Sequence, residues 1–452
     1  MKSTSLRNAP AAVSRLVRLV LGSRTGGCWM SACVLVFLGS TIGAQSDKRP
    51  IDPPTYTGRS NPASFTDARL TVSTASAEAQ FYSNGSSVES VLSLFSLASA
   101  GEESIVPGPH RLFAQQALQT LGIRYRADAK TQLTLAHHIR GFQQLRYGEQ
   151  LVHLLRSGHL DQGRSATEVG AHVDAFAYQD FSFGIAVQAE ARLRLGLRMH
   201  YLTGGAALLT ERARITVVPS EDGRYFPVAA DAVWHSSGLG PSLGAPRLTP
   251  GWLNTANRGY GLAFGAIYTP RPDISIGIEF SGIGHIRWHA DAHTHRSAGR
   301  YRVRGIPYRT YGHPMPLSTA LDQLHEALEV VSTPGSLRAA LPGTASIHVR
   351  YAPAERYTLG GAFQQLRYRN AGYSALSGTL HRRMNPCWQL GLSLHSIAFD
   401  QLQVGLDSDW RLGPVRGFIG IRNVPALFRP RRTRAAMVRF GWALAFGEPP
   451  TD

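Results

Sequence analysis

Residues 192–201 read Arg-Leu-Arg-Leu-Gly-Leu-Arg-Met-His-Tyr, so that apolar side chains alternate with cationic or small ones. Neighbouring side chains of an extended strand point to opposite faces, whereas a helix repeats its apolar face every three or four residues. The stretch therefore predicts a strand with one apolar and one cationic face. Such a strand fits a barrel wall that has lipid on its outer side and water or packed polar atoms on its inner side.

The same alternation recurs further along the chain. In one later segment, Ile274, Ile276, Ile278, Phe280, Ile286 and Trp288 share one parity, and Ser275, Glu279, His285 and Arg287 share the other. Near the C-terminus, Val438, Phe440, Trp442, Leu444 and Phe446 alternate with Arg439, Gly441 and Ala445. Alternating segments of about ten residues between turns are typical of a transmembrane β-barrel.

Short turns alternate with long connections, which indicates two different rims. The short turns are residues 126–130, 189–191, 270–273, 352–355, 383–386 and 412–414, and the long connections are 83–110, 147–167, 203–257 and 290–343. An outer-membrane barrel has short periplasmic turns and long outer loops. Six aromatic residues lie close to the short turns and share parity with apolar neighbours: Tyr125, Tyr268, Tyr351, Tyr357, Trp388 and Trp410. They predict an interfacial girdle at the periplasmic rim.

These patterns predict an all-β fold, a single-chain antiparallel transmembrane β-barrel of about 14 strands, with 12 or 16 as alternatives. The predicted strands are 69–82, 111–126, 131–146, 168–189, 192–204, 258–269, 274–290, 343–352, 356–369, 371–382, 387–396, 399–411, 415–424 and 434–446. An even number places both termini in the periplasm. Residues 213–218 and 224–234 predict an additional β-hairpin in a long outer loop, and counting it into the wall would give 16 strands.

Two short helices are predicted inside the long outer loops. One would begin at Ser318 or Thr319, carry the apolar stripe Leu321, Leu324, Leu328 and Val331, and end at Pro334-Gly335. The other covers residues 149–156. Either helix could act as a lid or plug, or could simply pack a loop against the rim.

Composition and targeting signals agree with an envelope protein. The 452 residues carry a net charge of +17 and a mean hydropathy of −0.13, which argues against a bundle of membrane-spanning helices. Three cysteines exclude a disulfide scaffold. We expect a signal peptide over 1–44, with an uncleaved anchor as the alternative. The mature chain then comprises an N-terminal periplasmic or plug segment (45–68), the barrel (69–446) and a C-terminal tail (447–452).

Several short motifs carry a resemblance to a known family. They are Asn61-Pro62-Ala63, residues 151–158, 173–178, 197–204, 274–277, 284–288, 341–343 and 349–351. With these motifs the chain resembles an uncharacterised Bacteroidota outer-membrane β-barrel family with a domain of unknown function. More distantly, Asn-Pro-Ala ahead of a barrel is similar to the fatty-acid transporter group and to barrels associated with type IX secretion, which implies an N-terminal segment inside the lumen. The resemblance implies no catalytic residues.

The inner parity set of the predicted strands is rich in arginine. The candidate lumen-lining residues are Arg140, Arg194, Arg198, His200, Glu279, Arg287, Arg350, Asp407 and Arg439. Guanidinium groups in a lumen would concentrate anions and bind carboxylates or phosphates. The alternative is that these arginines pair with acids and carbonyl groups to fill a closed barrel. The chain is also richer in Arg and His than a channel for a purely hydrophobic cargo would need to be.

Signals for an enzyme, a metal or nucleic acid are weak. His289, His293 and His295 have metal-compatible spacing but no completing ligand, and His172, Asp174 and Ser182 lie too far apart on one strand for a hydrolytic triad. The basic run 431–434 favours anionic lipopolysaccharide over nucleic acid in an outer loop. We therefore expect no covalent catalysis, no cofactor and no nucleic-acid partner.

The leading functional hypothesis is an outer-membrane, porin-like channel or transporter of a Gram-negative envelope, for a small anionic or amphipathic solute. Its expected partners are outer-membrane lipid and lipopolysaccharide, together with that ligand. One alternative is a non-conducting scaffold subunit of an envelope or secretion complex, held by a partner protein. A second alternative is an outer-membrane hydrolase, which would need a serine, a histidine and a carboxylate to converge near the outer rim.

Overall fold

The computed structural model describes residues 61–85, 108–151, 166–218, 225–239, 256–304, 309–310, 313–314, 326–398, 401–428 and 433–448. The predicted signal peptide, most of the N-terminal segment, residues 152–156 and 318–325 of the predicted helices, and Arg431 and Arg432 lie outside the described residues.

The described chain is almost entirely extended. Its strands are β1 (Leu70–Ser83), β2 (Pro109–Arg126), β3 (Thr131–Gly148), β4 (Thr167–Glu168), β5 (His172–Glu190), β6 (Leu193–Val217), β7 (Tyr225–Ser237), β8 (Arg258–Arg271), β9 (Ile274–Trp288), β10 (Ala292–Arg304), β11 (Arg309–Thr310), β12 (His313–Pro314), β13 (Val331–Pro334), β14 (Leu337–Ala340), β15 (Gly343–Ala354), β16 (Tyr357–Tyr368), β17 (Ala371–Asn385), β18 (Trp388–Ile397), β19 (Gln401–Leu412), β20 (Val415–Arg422) and β21 (Ala435–Phe446). One 3-10 helix, Val424–Leu427, follows β20.

Fourteen strands form a closed antiparallel barrel, as the sequence predicts. Around the wall the order is β1, β2, β3, β5, β6, β8, β9, β15, β16, β17, β18, β19, β20 and β21. The barrel closes because β1 pairs with β21, from Leu70 opposite Phe446 to Tyr82 opposite Ala435. Closure gives every wall strand a hydrogen-bonded neighbour on both sides, and a backbone surrounded by lipid requires this.

The wall is extended beyond the barrel, at the rim that carries the long connections, by β4, β7, β10, β13 and β14, whereas β11 and β12 form a separate two-stranded sheet. The outer part of β6 pairs with β7, β7 pairs with β10, and β10 pairs with β13. The outer part of β6 and β7 form the predicted hairpin, and β7 is not one of the 14 wall strands. The inner face of this outer extension has a core of its own, which includes Val217, Val228, Val303 and Leu328.

The outer face of the barrel is apolar and ends in aromatic residues at the short-turn rim. Large apolar side chains on all wall strands from β15 to β19 are exposed, among them Ile347, Leu359, Leu376, Leu392 and Leu406. Five aromatics of the predicted girdle are likewise exposed, and Trp410 is half-buried. Exposed apolar side chains at this density fit a lipid-facing surface, because water would oppose such a surface.

One segment departs from the predicted alternation. Ile278 and Phe280 face outward as expected, but Ile286 and Trp288 have 0% exposure and face the interior. The reversal occurs where β9 carries an irregularity opposite Leu262 and Phe264, with Gly282 at φ +73°. A β-bulge adds one residue to one strand, so every later side chain changes face. The prediction that Ile286 and Trp288 face lipid is therefore wrong.

The predicted helix ending at Pro334-Gly335 is also corrected in its described part. Glu326 and Ala327 are helical, but residues 331–334 form β13, which pairs with β10. Backbone pairing with the outer extension therefore overrides the helical spacing of the apolar residues. Of the other predicted helix, residues 149–151 are helical. No helix within the described ranges is long and apolar enough to span a membrane.

The lipid-facing assignment predicts the effect of a charge on the outer wall. Leu392 on β18 is 47% exposed, four residues from Trp388 at the short-turn rim. Leu392→Arg should lower the free energy of unfolding by about 2–4 kcal/mol, because a cation near the bilayer midplane is costly. Urea unfolding in liposomes, followed by the gel-mobility shift of the folded barrel, measures this. Leu392→Phe is the matched control, and equal stability of the two variants would contradict a lipid-facing Leu392.

Candidate functional site

The lumen is closed at the short-turn rim by a floor segment, residues 61–67. The Asn61 side-chain amide donates hydrogen bonds to the carbonyl oxygens of Ala266 and Ile278, at 3.2 and 2.7 Å. Asn61 also accepts one from the backbone N–H of Ala63, at 2.9 Å. This segment can approach the wall because two strands carry glycine here: a Cβ atom on Gly196 would collide with the Pro62 backbone, and one on Gly265 with the Asn61 side chain.

The floor segment crosses the barrel from β8 and β9 towards β19 and β20. Gln132 on β3 accepts a hydrogen bond from Thr66 N–H at 2.7 Å and donates one to the Ser64 carbonyl at 2.9 Å. At the far side, Asp67 forms ion pairs with Arg411 and Arg416. Contacts on opposite walls hold the segment in place, and Asn61 lines the lumen cavity.

Two arginines of the floor region stack on one aromatic ring. The guanidinium carbons of Arg126 and Arg194 lie 5.0 and 5.4 Å from the centroid of the Phe65 ring. A cation over an aromatic face is attracted by the negative face of the ring. Arg194 therefore belongs to the packing of the floor.

Above the floor, a carboxylate organises one wall of the lumen. Asp180 on β5 is 2% exposed and accepts a hydrogen bond from Arg140 Nε at 2.8 Å. His200 Nδ1 lies 2.7 Å from its other oxygen and donates to it. Arg198, two residues before His200, is also buried. The three basic side chains come from adjacent strands, β3 and β6, on either side of β5.

A second ion pair lies on the neighbouring side of the lumen. Arg439 on β21 donates from Nη2 and Nε to Asp407 Oδ1 on β19, at 2.7 and 3.2 Å. Its guanidinium carbon also lies 5.9 Å from the centroid of the Phe418 ring. Gly420, on the strand between them, leaves room for this pair, because a Cβ atom there would collide with Asp407. The pair with Asp407 holds the Arg439 guanidinium group at the surface of the lumen.

An aromatic layer closes the lumen on the side of the long loops. The ring centroids of Phe142 and Tyr368 are 4.5 Å apart, and those of Phe113 and Tyr373 are 4.9 Å apart. Phe142 and Phe113 belong to β3 and β2, whereas Tyr368 and Tyr373 belong to β16 and β17 across the barrel. Aromatic rings from opposing walls thus meet in the middle of the lumen, and Trp288 and Ile286 belong to the same buried cluster.

An ion pair reinforces this layer across the barrel mouth. Arg369 Nη1 donates to Asp174 Oδ1 on β5 at 2.7 Å and to the Thr210 carbonyl at 2.9 Å. Arg369 follows β16 in the tight turn to β17 and has a φ of 50°. The turn therefore reaches the opposite wall. Asp174 is 1% exposed, whereas the Arg369 side chain is 38% exposed, so the pair is only partly shielded from water.

Between the floor and the aromatic layer lies a cavity of about 400 Å³. Its charged lining consists of Glu78, Arg140, Asp180, Arg198, Glu279, Arg422 and Arg439. Phe142, Tyr178, Leu202, Ile397 and Met437 supply apolar surface. The chamber can therefore hold a small molecule with one charged and one apolar end, because charge-assisted hydrogen bonds and apolar contacts are available within one cavity.

Most of the predicted lumen residues come together around this cavity. Arg140, Arg198, His200, Glu279 and Arg439 line it, and Asp407 binds Arg439. Arg350 is half-buried on β15 between exposed Val349 and Tyr351, outside the cavity lining. Arg287 differs from the prediction, because the reversal at Gly282 turns it outward and leaves it exposed.

Sequence reasoning missed several groups of this site. Asp180 shares its parity with Asp174 and Ser182 on β5, so the alternation alone could have indicated it. The alternation along β1 could likewise have indicated Glu78, and the alternation along β20 could have indicated Arg422. The aromatic layer had no such signal, because Phe142 and Tyr368 meet only through the closure of the barrel.

The candidate enzyme and metal residues are placed apart from this cavity. Ser182 donates to the carbonyl of Ala136 on the neighbouring strand. In the outer extension, His295 contacts the hydroxyl groups of Ser236 and Ser332, each at 2.8 Å, and both His295 and Ser236 have no solvent exposure. No substrate can reach this pair. Within the described ranges, no three His, Cys, Asp or Glu side chains converge as a metal site, although His293 and His295 are neighbours.

Comparison with known proteins gives a family and several structures of low similarity. A family model described as "Family of unknown function (DUF5723)" matches residues 62–421. No curated protein matches the chain.

Among solved structures, the TodX monoaromatic hydrocarbon channel deltaS2 mutant is 11% identical, with 86% of this chain and 93% of that chain covered and a TM-score of 0.48. The toluene transporter TbuX of Ralstonia pickettii is 10% identical, with 85% and 92% covered and a TM-score of 0.40. A FadL homologue of Pseudomonas aeruginosa is 10% identical, with 85% and 92% covered and a TM-score of 0.38. Similarities at this level do not indicate a shared cargo.

The close contact between Gly265 and Asn61 predicts that one added methyl group on the wall opens the short-turn end of the lumen. Gly265→Ala should displace residues 61–63, because the new Cβ atom collides with Asn61. Cleavage of the folded barrel by a protease added at that rim should then increase at the floor segment. Gly184→Ala is the matched control, since the nearest atom to its Cβ would be at an ordinary 3.4 Å. Equal cleavage of the two variants would show that the Asn61 contact does not hold the floor.

Proposed function

The chain belongs to the family of unknown function DUF5723, and from that premise we propose that it is an outer-membrane channel for a small amphipathic solute with an anionic group. The described conformation is its closed state. The cavity between the floor segment and the aromatic layer is the binding chamber. The single observation that carries this proposal is that arginine groups and apolar side chains line the same lumen cavity.

The outer face and the two rims support an outer-membrane location. Exposed apolar side chains surround the wall, and girdle aromatics lie at the rim with short turns. Barrels of this kind place their short turns and both termini in the periplasm and their long connections outside the cell. We assign the same orientation here, so the floor segment faces the periplasm and the aromatic layer faces the outside.

The charges of the chamber support an anionic group on the solute. Arg198 and Arg439 both line the cavity, and Arg140 adds a third guanidinium group. With Arg422 the lining holds four guanidinium groups against the three carboxylates of Glu78, Asp180 and Glu279. The chamber therefore suits a single carboxylate or phosphate better than a highly charged molecule. The apolar tail would lie towards Phe142 and Leu202, which belong to the cluster at the long-loop side.

Passage requires the aromatic layer to open. Phe142 and Tyr368 lie on opposing walls, and Arg369 holds the β16–β17 turn against Asp174. Movement of this turn would separate the rings without breaking the wall, because the turn makes these contacts through side chains. The Asp174–Arg369 pair is therefore the expected latch of the channel.

A second candidate function is a non-conducting scaffold of an envelope complex. The observation that favours it is the closure of the lumen at both ends, by residues 61–67 and by the aromatic layer. A scaffold would remain closed when the latch is removed and would co-purify with a partner protein. The channel hypothesis predicts that the barrel opens when the latch is removed.

Ligand binding tests the chamber. We expect hexanoate to bind the barrel in nanodiscs more tightly than hexanol or acetate, measured by isothermal titration calorimetry. Arg198→Gln should weaken hexanoate binding about tenfold, because a charge-assisted hydrogen bond contributes roughly 1.5–3 kcal/mol, and should leave hexanol unaffected. Arg194→Gln on the same strand, against Phe65 in the floor, is the control. Equal loss in both variants, or no hexanoate binding, would contradict a lumen anion site.

Single-channel recording tests the latch. Asp174→Asn should raise the open probability about tenfold in planar bilayers, equivalent to ~1.4 kcal/mol for the lost ion pair. The control is Asp231→Asn, which removes an ion pair with Arg212 in the outer extension, at 2.8 Å and away from the lumen. A silent Asp174→Asn barrel would exclude the proposed gate and favour the scaffold.

A further inference from the structure

Three arginines stand side by side on the outer surface of the barrel wall. In the strand register, Arg258 on β8 lies opposite Arg287 on β9, and Arg287 lies opposite Arg338 on β14. All three side chains are exposed. Directly opposed residues of antiparallel strands have Cβ atoms about 5 Å apart, so the arginine row (Arg258, Arg287 and Arg338) places three positive charges within about 10 Å along one line.

Such a row concentrates positive charge on one part of the sheet. Like charges directly opposite each other on adjacent strands destabilise the pairing. Arg338 Nη2 lies 3.2 Å from His285 Nδ1, which is an imidazole nitrogen and supplies no negative charge. A multivalent anion in front of the row would turn this repulsion into attraction, because each guanidinium fork can donate two hydrogen bonds to it.

The height of the row on the wall indicates where such an anion would come from. Along β8 from Arg258 towards the short-turn rim, the next residues on the same face are Tyr260 and Leu262. Tyr260 lies opposite His285, and Leu262 lies opposite Ile283. Tyr260 is 64% exposed, and Leu262 and Ile283 are also exposed on the lipid-facing side. The row thus follows directly on the apolar band, at the level where lipid headgroups meet acyl chains.

Beyond the row, the outer surface stays basic. Arg212, Arg214, Arg296, Arg300 and Arg302 are exposed on the outer extension. This surface attracts anionic headgroups in general. The arginine row also has an apolar surface immediately below its adjacent guanidinium groups.

We propose that Arg258, Arg287 and Arg338 bind the phosphate group of a phosphorylated lipid in the leaflet at the long-loop rim. The phosphate lies across the three guanidinium groups, and the acyl chains run down over Tyr260, Leu262 and Ile283. The site rests on the proposed outer-membrane location and orientation, in which this leaflet is the outer one. The three arginines, Tyr260 and Ile283 are outside the lining of the lumen cavity, whereas Leu262 also borders that cavity.

Lipid binding by the purified full chain tests this site. The barrel, in a neutral detergent, is titrated with diphosphoryl lipid A, with enzymatically dephosphorylated lipid A and with inorganic phosphate, and bound lipid is counted by native mass spectrometry. The row variant carries Arg258→Gln, Arg287→Gln and Arg338→Gln. The control variant carries Arg214→Gln, Arg300→Gln and Arg302→Gln, which remove the same charge from the outer extension. The gel-mobility shift confirms that both variants fold.

We expect diphosphoryl lipid A to bind the wild-type barrel at least about tenfold more tightly than the dephosphorylated lipid. The row variant should lose this preference, and the control variant should keep it. Equal binding of the two lipids, or unchanged binding by the row variant, would overturn the proposal. If inorganic phosphate bound to the row as tightly as the phosphorylated lipid and displaced it, the row would be a site for free phosphate. That result would overturn the lipid assignment.

This result is independent of conduction, because lipid binding in detergent needs neither an open lumen nor a solute. A barrel that is silent in planar bilayers but shows the lipid preference refutes only the channel. Protease accessibility of the long loops on intact cells separately tests the orientation on which the leaflet assignment rests.

Discussion

The whole structure depends on satisfying backbone hydrogen bonds where no water is available. A sheet edge in lipid leaves unpaired N–H and C=O groups that cost several kcal/mol each, so the sheet must close. Here closure is made by the pairing of β1 with β21, between strands at the two ends of the barrel sequence. Once the wall is closed, alternation assigns each side chain to lipid or lumen. The apolar outer band and the charged lumen are consequences of this one constraint.

A single bulge links the two sites of the molecule. At Gly282 the strand β9 gains a residue, and the side chains beyond it change faces. Trp288 therefore enters the aromatic layer of the lumen, while Arg287 joins Arg258 and Arg338 on the outer surface. A regular strand would have exchanged them, with an arginine in the lumen and an indole against lipid. The closed lumen and the basic outer row thus have a common origin in the backbone.

The two ends of the lumen are held by different numbers of directional bonds. The floor segment is held by backbone and side-chain hydrogen bonds to several strands and by the ion pairs of Asp67. The aromatic layer is held by ring contacts, by the Asp174–Arg369 pair, and by hydrogen bonds from Gln80 to Tyr373 and from Arg369 to the Thr210 carbonyl. Fewer directional bonds must be exchanged to open the second end, which makes it the natural place for a gate.

The sequence by itself determined the barrel class, the 14 wall strands, the sorting of short and long connections, and the inner parity of Arg140, Arg198, His200, Glu279 and Arg439. These features are local, because strand alternation and turn chemistry act over a few neighbouring residues. Only the tertiary structure decided the reversal at Gly282, the outward position of Arg287, the aromatic layer and the Asp174–Arg369 latch. Residues 195 positions apart form that latch, and only the closure of the wall and the register of its strands bring them together.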